Sequence, residues 1–335
     1  MKEFIKKLSE RKNLLQEEAM QAFDIIMKGE ATPAQIGAFL ALLRVKGETV
    51  EEIAGGAASM RRHALFINVH DRFVVDTCGT GGDGLNTFNI STTAAFVVAG
   101  AGVAVAKHGN RGITSKCGSA DLLAELGVNI EADPETVENC IRETNIGFLF
   151  APKLHPAMKH AIGPRKELGI RTIFNMLGPL TNPAGAKGQV IGVFSPELTE
   201  PFANVLKLLG SKRVFVVHGH DGMDEITVTD STRISELNDG HVKTYDFDPC
   251  DLIGDYVPMD TLLGGDPKKN AEITRNVLEG KKGPCRDIVC LNAAAGIVAG
   301  GTAKSIKDGF ALACKSIDSG KALAALEKLI EVSKQ

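Results

Sequence analysis

Aromatic residues are scarce in this chain. Its 335 residues include no Trp and only 2 Tyr, and aromatic side chains make up 5% of the total. Because 44% of the residues are nevertheless hydrophobic, a sizeable core can form, but it must be packed mainly from aliphatic and small side chains. The charged fraction of 24% is that of an ordinary globular protein.

Two further absences narrow the class of protein. The seven Cys are odd in number and include no C-x-x-C pair, which argues against a disulfide framework and a structural zinc site. The longest apolar run, residues 92–106, is shorter than the roughly 18 residues of a membrane-spanning helix, and the first residues lack the apolar stretch of a signal peptide. We therefore expect no membrane partner and a reducing, cytoplasmic setting.

An excess of positive charge is also missing. The formal net charge is −3, and the sequence pI is about 6.3. Proteins that bind nucleic acid usually show a basic balance or a basic stripe. We expect no nucleic-acid partner.

Glycine, by contrast, is abundant, and the length allows two domains. The chain has 36 Gly, which favours the many tight turns of an α/β protein, and one domain typically takes roughly 100–200 residues. The first seventy residues have helical spacing of their apolar side chains. Thr32, Pro33 and Gln35 predict one helix start with a capping box, and Thr49 with Glu52 predicts another.

From residue 73 the pattern changes to short apolar runs that alternate with helical stretches. The predicted strands are 73–78, 103–107, 148–151, 190–194, 214–218 and 288–291. The predicted helices between them lie near 93–99, 120–126, 134–143, 201–209 and 270–278. Such alternation predicts an α/β fold with a mostly parallel central sheet and helices on both faces. Ligands of such sheets bind beyond the carboxyl ends of the strands.

A glycine-rich loop, residues 79–84, follows the first predicted strand. Glycines let the backbone approach a ligand closely, and successive N–H groups can form a nest for an anion. A plain tight turn is the alternative, and the spacing matches neither a Walker loop nor the dinucleotide fingerprint. Residues 89–92 then begin a helix, where Ser91 and Thr92 serve either as caps or as part of a helix-terminal anion site. Together the two segments suggest a diphosphate site.

A basic cluster, residues 107–111, follows the second predicted strand. Lys107 is a natural charge partner for phosphate, whereas His108 is equally well explained as a packed side chain. Further along, Ser119 either caps the next helix or offers its hydroxyl to phosphate.

Two adjacent carboxylates, Asp224 and Glu225, follow the strand predicted at 214–218. Magnesium usually takes one or two carboxylates, with water and substrate phosphate as its other ligands. His218 and His220 alternate along the strand end and would point apart, so we favour magnesium over a transition metal. An acidic surface turn is the alternative.

Taken together, the segments resemble the anthranilate phosphoribosyltransferase family of tryptophan biosynthesis. The matching segments are 79–83, 89–92, 107–111, 119–127, 163–165, 171–183 and 218–225. Their order and spacing match across nearly the whole chain. Three positions depart from the pattern, since Gly112 and Cys117 stand where Ser is expected and Met223 where Leu is common.

The resemblance implies a fold like that of the nucleoside phosphorylases. A small helical domain would comprise residues 1–70 and, returning to it later in the chain, residues of about 166–184. A larger α/β domain would comprise residues 71–165 and 185–335. It also implies a homodimer that associates through the helical domain.

The resemblance further implies the reaction and its residues. The amino group of anthranilate would displace pyrophosphate from phosphoribosyl pyrophosphate (PRPP), with Mg²⁺ bound, and give phosphoribosyl-anthranilate. Residues implied to contact PRPP are Gly79, Gly82, Asp83, Thr87, Asn89, Ile90, Ser91, Thr92, Lys107 and Ser119. Those implied for anthranilate are Gly79, Asn110 and Arg165, and those for magnesium are Ser91, Asp224 and Glu225. Lys107, Asn110 and Arg165 would carry the catalytic roles.

Two alternatives remain from the sequence. A pyrimidine-nucleoside phosphorylase would bind phosphate and a nucleoside, but the Asp224–Glu225 pair and the basic cluster argue against it. A non-enzymatic relative that binds nucleic acid would show a basic groove and lack Arg165, Asp224 or Glu225, all of which are present.

Overall fold

The N-terminal part of the chain is helical, as its capping signals predict. The computed structural model describes residues 1–112 and 115–335. Its first helices are α1 (Lys2–Ser9), α2 (Gln16–Met27), α3 (Pro33–Lys46) and α4 (Val50–Arg62). Both predicted capping boxes are confirmed. The hydroxyl of Thr32 accepts from the N–H of Gln35, and the Gln35 side chain accepts from the N–H of Thr32. The hydroxyl of Thr49 and the side chain of Glu52 exchange the same pair of bonds.

A seven-stranded sheet follows the four helices. Its strands are β1 (Val74–Gly79), β2 (Ala104–Gly109), β3 (Ile146–Phe150), β4 (Gly188–Gly192), β5 (Arg213–Gly219), β6 (Thr232–Asn238) and β7 (His241–Phe247). Their order is β3-β2-β1-β4-β5-β6-β7. The first five strands of that order are parallel, so the prediction of a mostly parallel sheet is confirmed.

The antiparallel edge of the sheet was missed by the strand prediction. Strands β6 and β7 pair antiparallel with each other, and β6 pairs antiparallel with β5. The hairpin turns at Asp239 and Gly240, which both have positive φ. An Asp-Gly pair between two alternating segments is the usual signature of a two-residue hairpin, and this signal was present in the sequence.

The strand predicted at 288–291 is wrong. These residues lie inside helix α14 (Pro284–Ala299), and Ile288, Val289, Cys290 and Leu291 are fully buried. A helix that is buried on all sides shows a continuous apolar run instead of a stripe. Such a run cannot be told from a buried strand by its periodicity.

The remaining helices lie between and after the strands. They are α5 (Ile90–Gly100), α6 (Ser119–Leu126), α7 (Pro134–Thr144), α8 (Ala151–Leu154), α9 (Lys159–Leu168), α10 (Phe174–Leu177), α11 (Thr199–Leu208), α12 (Cys250–Ile253), α13 (Pro267–Leu278), α15 (Ile306–Asp318) and α16 (Lys321–Val332). Across the described parts of the chain, none of the helices has the length and apolar character needed to cross a membrane.

Apolar cores lie on both faces of the sheet. Along β5, Val214 and Val216 face one core, and Phe215 and Val217 face the other, as the alternation of a strand requires. The second core contains α5 and the C-terminal helices. The first is shared between the sheet, α11 and the N-terminal helices, so the helical unit buries its apolar surface against the α/β part.

The segment before β4 also packs on the N-terminal helices. The rings of Phe23 and Phe174 meet edge to face at 5.5 Å between centroids. Arg61 of α4 donates from Nε to the carbonyl of Leu180 at 2.7 Å. These contacts connect α2 and α4 to the chain that leads into the centre of the sheet.

Glu52 is a buried carboxylate that ties the helical unit together. It is fully buried, and its oxygens accept from the N–H groups of Leu14 and Thr49, both at 2.9 Å. Lys46 supplies the counter-charge at 2.8 Å. A buried charge with a full set of partners holds the loop before α2 and the start of α4 in one arrangement.

We expect Glu52→Gln to lower the free energy of unfolding by roughly 3 kcal/mol, because it leaves the Lys46 ammonium buried without its partner. The measurement is denaturant-induced unfolding. The matched control is Glu51→Gln, which removes the same charge from an exposed neighbour. Equal stability of the two variants would contradict the role of Glu52.

Candidate active site

One cavity of about 460 Å³ lies at the carboxyl ends of the central strands. It is bounded by the loops after β1 and β2, the start of α5 and the segment after β5. The sequence-predicted site residues on its wall are Gly79, Gly82, Asp83, Thr87, Asn89, Ile90, Ser91, Thr92, Lys107, Asn110, Ser119, Asp224 and Glu225. Arg165 is the one predicted site residue outside the wall.

The glycine loop approaches the carboxylates after β5 very closely. The N–H of Gly81 donates to Oδ2 of Asp224 at 3.0 Å. A Cβ on Gly79 would lie 2.9 Å from the same oxygen, and a Cβ on Gly192 of β4 would overlap the Asp224 backbone. Glycine is therefore required at 192, where a side chain would overlap backbone, whereas a side chain at 79 would displace the Asp224 carboxylate. The role of Gly192 was missed because one glycine in a strand carries no motif.

The start of α5 joins the glycine loop to the same carboxylates. Asn89 occupies the N-cap position, and its Nδ2 donates to the Cys117 carbonyl at 3.1 Å. Its Oδ1 is buried and has no partner among the described residues. The N–H of Ser91 donates to Oε1 of Glu225 at 3.1 Å. This helix end thus forms part of the cavity wall through Asn89, Ile90, Ser91 and Thr92.

Lys107 enters the cavity from the end of β2 and is almost completely buried. Its ammonium donates to the carbonyl of Thr77. Burial lowers the pKa of Lys107, while the nearby carboxylates of Asp76 and Glu225 oppose that shift. The Lys107 ammonium is therefore stabilised on the cavity floor by the buried carboxylates of Asp76 and Glu225. This pairing was not predicted from the sequence.

Asp76 in β1 organises the neighbourhood of Lys107. It is fully buried, and its Oδ1 accepts from the N–H of His108 at 3.1 Å. Its Oδ2 accepts from Nδ2 of Asn182 at 2.8 Å, and the same Nδ2 donates to the Ala106 carbonyl at 2.7 Å. Sequence reasoning missed Asp76, although an acidic residue inside an apolar strand was a usable signal.

Asp121 organises the loop after β2. Its Oδ2 accepts from the N–H groups of Gly112 and Gly118 at 2.8 and 2.9 Å, and its Oδ1 pairs with Arg111 at 2.9 Å. Gly118 takes the N-cap position of α6, so Ser119 is not the cap. The hydroxyl of Ser119 instead donates to the Asn110 carbonyl and accepts from its N–H, both at 3.2 Å. Asn110 is thereby held at the cavity mouth.

Asp224 and Glu225 face the cavity together. The pKa of Asp224 is raised to about 7, chiefly because the carboxylate loses hydration and secondly because Asp83 is nearby. Loss of hydration likewise raises the pKa of Glu225 to about 8, with Asp224 as the second cause. Carboxylates this close repel each other unless a cation lies between them.

The donor set fits magnesium better than a transition metal. The three residues predicted to hold the metal, Ser91, Asp224 and Glu225, all line the cavity and offer only hard oxygens. Among the described residues, no cluster of three or more His, Cys, Asp or Glu side chains is suited to hold a metal ion. A magnesium ion here would therefore need oxygens from substrate phosphate or water to complete its shell.

The histidines near the site hydrogen-bond or pack against other residues of the protein. His218 contacts the Val193 carbonyl through Nδ1 at 2.7 Å, and His220 contacts Asp246 through Nε2 at 2.9 Å, so the prediction that they point apart is confirmed. His108 packs on His155 with 5.1 Å between ring centroids. Burial lowers the pKa of His108 to about 3 and that of His155 to about 4, which keeps both rings neutral at pH 7.

Of two arginines in the segments that match the family, the one on the cavity wall is not the one predicted to bind substrate. Arg165 lies in α9 with its guanidinium 5.1 Å from the centre of the Phe174 ring. Arg171 lines the cavity instead and was not assigned a role from the sequence, although it begins one of the matching segments. Asn175 and Phe194 are further wall residues that sequence reasoning missed.

Comparison with known proteins defines the class first. The chain matches the models of the glycosyl transferase family, namely its helical bundle domain over residues 2–64 and its a/b domain over residues 71–323. The fold, a helical bundle beside an α/β domain, is that of a member of this family of transferases.

Individual relatives give the particular family. An anthranilate phosphoribosyltransferase of Desulfosudis oleivorans is 60% identical over 98% of both chains. The crystal structure of the Thermus thermophilus anthranilate phosphoribosyltransferase has a TM-score of 0.94 at 45% identity and covers 99% of both chains. The Saccharomyces cerevisiae enzyme, solved in complex with PRPP and Mg, has a TM-score of 0.89 at 31% identity and covers 99% of this chain and 97% of its own.

The chain belongs to the anthranilate phosphoribosyltransferase family. It is an enzyme of this family, and the function predicted from the sequence is confirmed. Neither the nucleoside phosphorylase nor the nucleic-acid-binding alternative is supported.

The buried histidine pair makes stability depend on pH. Since both folded pKa values lie below the ordinary value of 6.5, the unfolded chain binds more protons in the window from pH 6.5 down to about 4. The free energy of unfolding therefore falls as the pH falls through that window. We expect His155→Gln to remove up to about 1.4 kcal/mol per pH unit from this slope. Denaturant unfolding at several pH values measures it, and identical slopes in wild type and variant would refute the assignment.

Proposed function

We propose that the cavity transfers the phosphoribosyl group of PRPP to the amino group of anthranilate and releases pyrophosphate. The observation that carries this proposal is the meeting of four devices on one wall: the glycine loop, the start of α5, Lys107 and the Asp224–Glu225 pair. Each is suited to a polyanionic group or to its metal ion.

PRPP would bind along the glycine loop and the start of α5. Gly79, Gly82 and Asp83 of the loop and Asn89, Ile90, Ser91 and Thr92 of the helix start line that wall, and Thr87 lies between them. Backbone N–H groups at a helix start favour phosphate oxygens. Lys107 and Ser119 would complete the set from the neighbouring loop. The unpartnered Oδ1 of Asn89 would accept a hydrogen bond from a ribose hydroxyl.

Ser91, Asp224 and Glu225 would hold Mg²⁺ with help from PRPP. When bound, the ion supplies a positive charge that stabilises the negative charge of a diphosphate leaving group. The contribution of the protein is to hold two carboxylates side by side at a place where they repel each other without a cation. Lys107 adds a fixed positive charge on the other side. Its attraction for a phosphate charge would be substantial, because a unit charge pair at 4 Å gains about 4 kcal/mol at an effective dielectric constant of 20.

Anthranilate would bind toward Gly79, Asn110 and Arg165. Ser119 holds the backbone of Asn110 at the cavity mouth, and the side chain of Asn110 would orient the amine from there. The guanidinium of Arg165 matches a carboxylate as a two-pronged donor. It lies outside the present wall, and a shift of α9 toward the cavity would bring it to the substrate.

No strong base is needed for the proposed reaction. The nitrogen of an aromatic amine is neutral and keeps a usable lone pair, so positioning is the main requirement. The two buried histidines are neutral near pH 7, because burial holds their pKa values low. His108 on the wall therefore adds no positive charge to the cavity at pH 7.

For the assembly, we keep the expectations from the sequence as proposals. Residues 1–70 with about 166–184 would form the helical domain, and residues 71–165 and 185–335 the α/β domain. The packing of Phe174 on Phe23 supports this division. The chain would form a homodimer through the helical domain. All seven Cys are free thiols, which supports a reducing, cytoplasmic setting.

The activity is tested by following anthranilate fluorescence after the protein is mixed with PRPP and magnesium. We expect the signal to fall as phosphoribosyl-anthranilate forms, with one pyrophosphate released per product. Omission of PRPP is the control. If the fluorescence persists and no phosphoribosyl-anthranilate is formed, the proposed reaction is wrong.

The metal assignment is tested by Asp224→Asn combined with Glu225→Gln. We expect kcat/KM to fall by at least about 100-fold, because the charge that holds the ion is lost. Asp251→Asn combined with Asp255→Asn removes the same charge from exposed positions outside the cavity and should keep wild-type activity. A double variant at 224 and 225 with an unchanged magnesium dependence would contradict the assignment.

A further inference from the structure

The segment between α9 and α10 sends one arginine to the glycine loop. Nη2 of Arg171 donates to the carbonyl of Gly82 at 3.2 Å, and Arg171 lines the cavity. No role was assigned to this residue from the sequence. Its contact connects a segment that packs on the N-terminal helices to the loop that would bind the diphosphate.

Arg171 differs from the other cations on the wall in having no carboxylate partner among the described residues. Lys107 lies beside the buried carboxylates of Asp76 and Glu225, and Arg111 pairs with Asp121. Within residues 1–112 and 115–335, no carboxylate lies within salt-bridge distance of Arg171. It is therefore the cavity cation whose charge the surrounding protein leaves unbalanced.

The guanidinium of Arg171 also contacts an aromatic ring of the cavity wall. It stacks over the ring of Phe194 with its central carbon 4.5 Å from the ring centre. Phe194 is itself tied to the glycine loop, since its N–H donates to the hydroxyl of Thr80 at 3.0 Å. Stacking occupies one face of the guanidinium and leaves its edge donors free. Of its five N–H donors, the bond to Gly82 uses one.

We propose that Arg171 is a further PRPP-binding residue, which contacts the diphosphate of PRPP with the donors that Gly82 leaves free. This inference rests on the proposed function and deepens it. A phosphate oxygen and the carboxylate of anthranilate offer the same chemistry to a guanidinium. Arg171 is assigned to the diphosphate because it bonds Gly82 of the glycine loop and lies over Phe194, whose N–H is bonded to Thr80 of the same loop. Arg165 instead lies over Phe174 in α10.

The proposal has a consequence for the order of the loop. A cation that bonds both Gly82 and the diphosphate would hold the loop closed over the substrate. The same contact would fix the position of the segment between α9 and α10 relative to bound PRPP. Arg171 would then stabilise the negative charge of the leaving pyrophosphate at the cavity edge, opposite the buried Lys107.

The test compares Arg171→Met with wild type in steady-state kinetics with each substrate varied in turn. Loss of a charged hydrogen bond predicts that the KM for PRPP rises about 10- to 100-fold, while the KM for anthranilate stays near its wild-type value. Calorimetry with inorganic pyrophosphate and magnesium should show weaker binding by the same factor. Arg171→Lys keeps the charge without the fork and should fall between the two proteins.

Two variants serve as references. Arg142→Met removes an exposed arginine of α7 outside the cavity and should keep both KM values. Arg165→Met should raise the KM for anthranilate and leave PRPP binding intact. Should Arg171→Met fold poorly, as judged by its Tm, Arg171→Lys carries the test through its KM for PRPP.

An unchanged KM for PRPP and unchanged pyrophosphate binding in both Arg171 variants would overturn the proposal. So would a rise confined to the KM for anthranilate, which would move the cation to the carboxylate. Wild-type protein without activity would instead overturn the proposed function. The two failures are thus distinguishable.

Discussion

The arrangement of the active site depends on one buried carboxylate, Asp76 in the middle of the sheet. It accepts from the backbone of His108 in β2 and from the side chain of Asn182, and it balances part of the charge of Lys107. Without an anion at this place, a buried ammonium at position 107 would be costly. The same side chain therefore positions the strand that carries Lys107 and the segment that returns from the helical unit toward β4.

Around this anchor, the cavity separates its charges. Asp224 and Glu225 lie where loss of hydration raises their pKa values, and the glycine loop lies against them through Gly81. Lys107 stands on the floor and Arg171 at the edge. A polyanion with a divalent cation satisfies all of these groups at once, whereas a neutral ligand satisfies none of them. The electrostatics of the cavity and the family to which the chain belongs agree on this point.

Most strands of the fold could be predicted because a buried parallel strand is a short apolar run with turn residues at its ends. The errors arose where that rule has exceptions. Residues 288–291 are equally apolar, but they belong to a helix that is buried on every side. The hairpin of β6 and β7 is half exposed and polar, so its runs are weak, and its Asp239-Gly240 turn was the usable signal. For the site, the cluster of motifs was predictable, but neither Asp76, Gly192 nor Arg171 was assigned.

The sequence by itself indicated the loops that line the cavity, because glycines, helix starts and paired carboxylates have a local chemical meaning. The family, and through it the reaction, was indicated by the resemblance of the ordered set of segments. The tertiary structure alone decided which side chains meet across the sheet. Asp76 and Asn182 are 106 residues apart in sequence, and Arg171 and Gly82 are 89 apart. Such pairs leave no local pattern, since their contact depends on strand order and on the packing of the helical unit. The position of the Arg165 guanidinium over the Phe174 ring is likewise a tertiary contact.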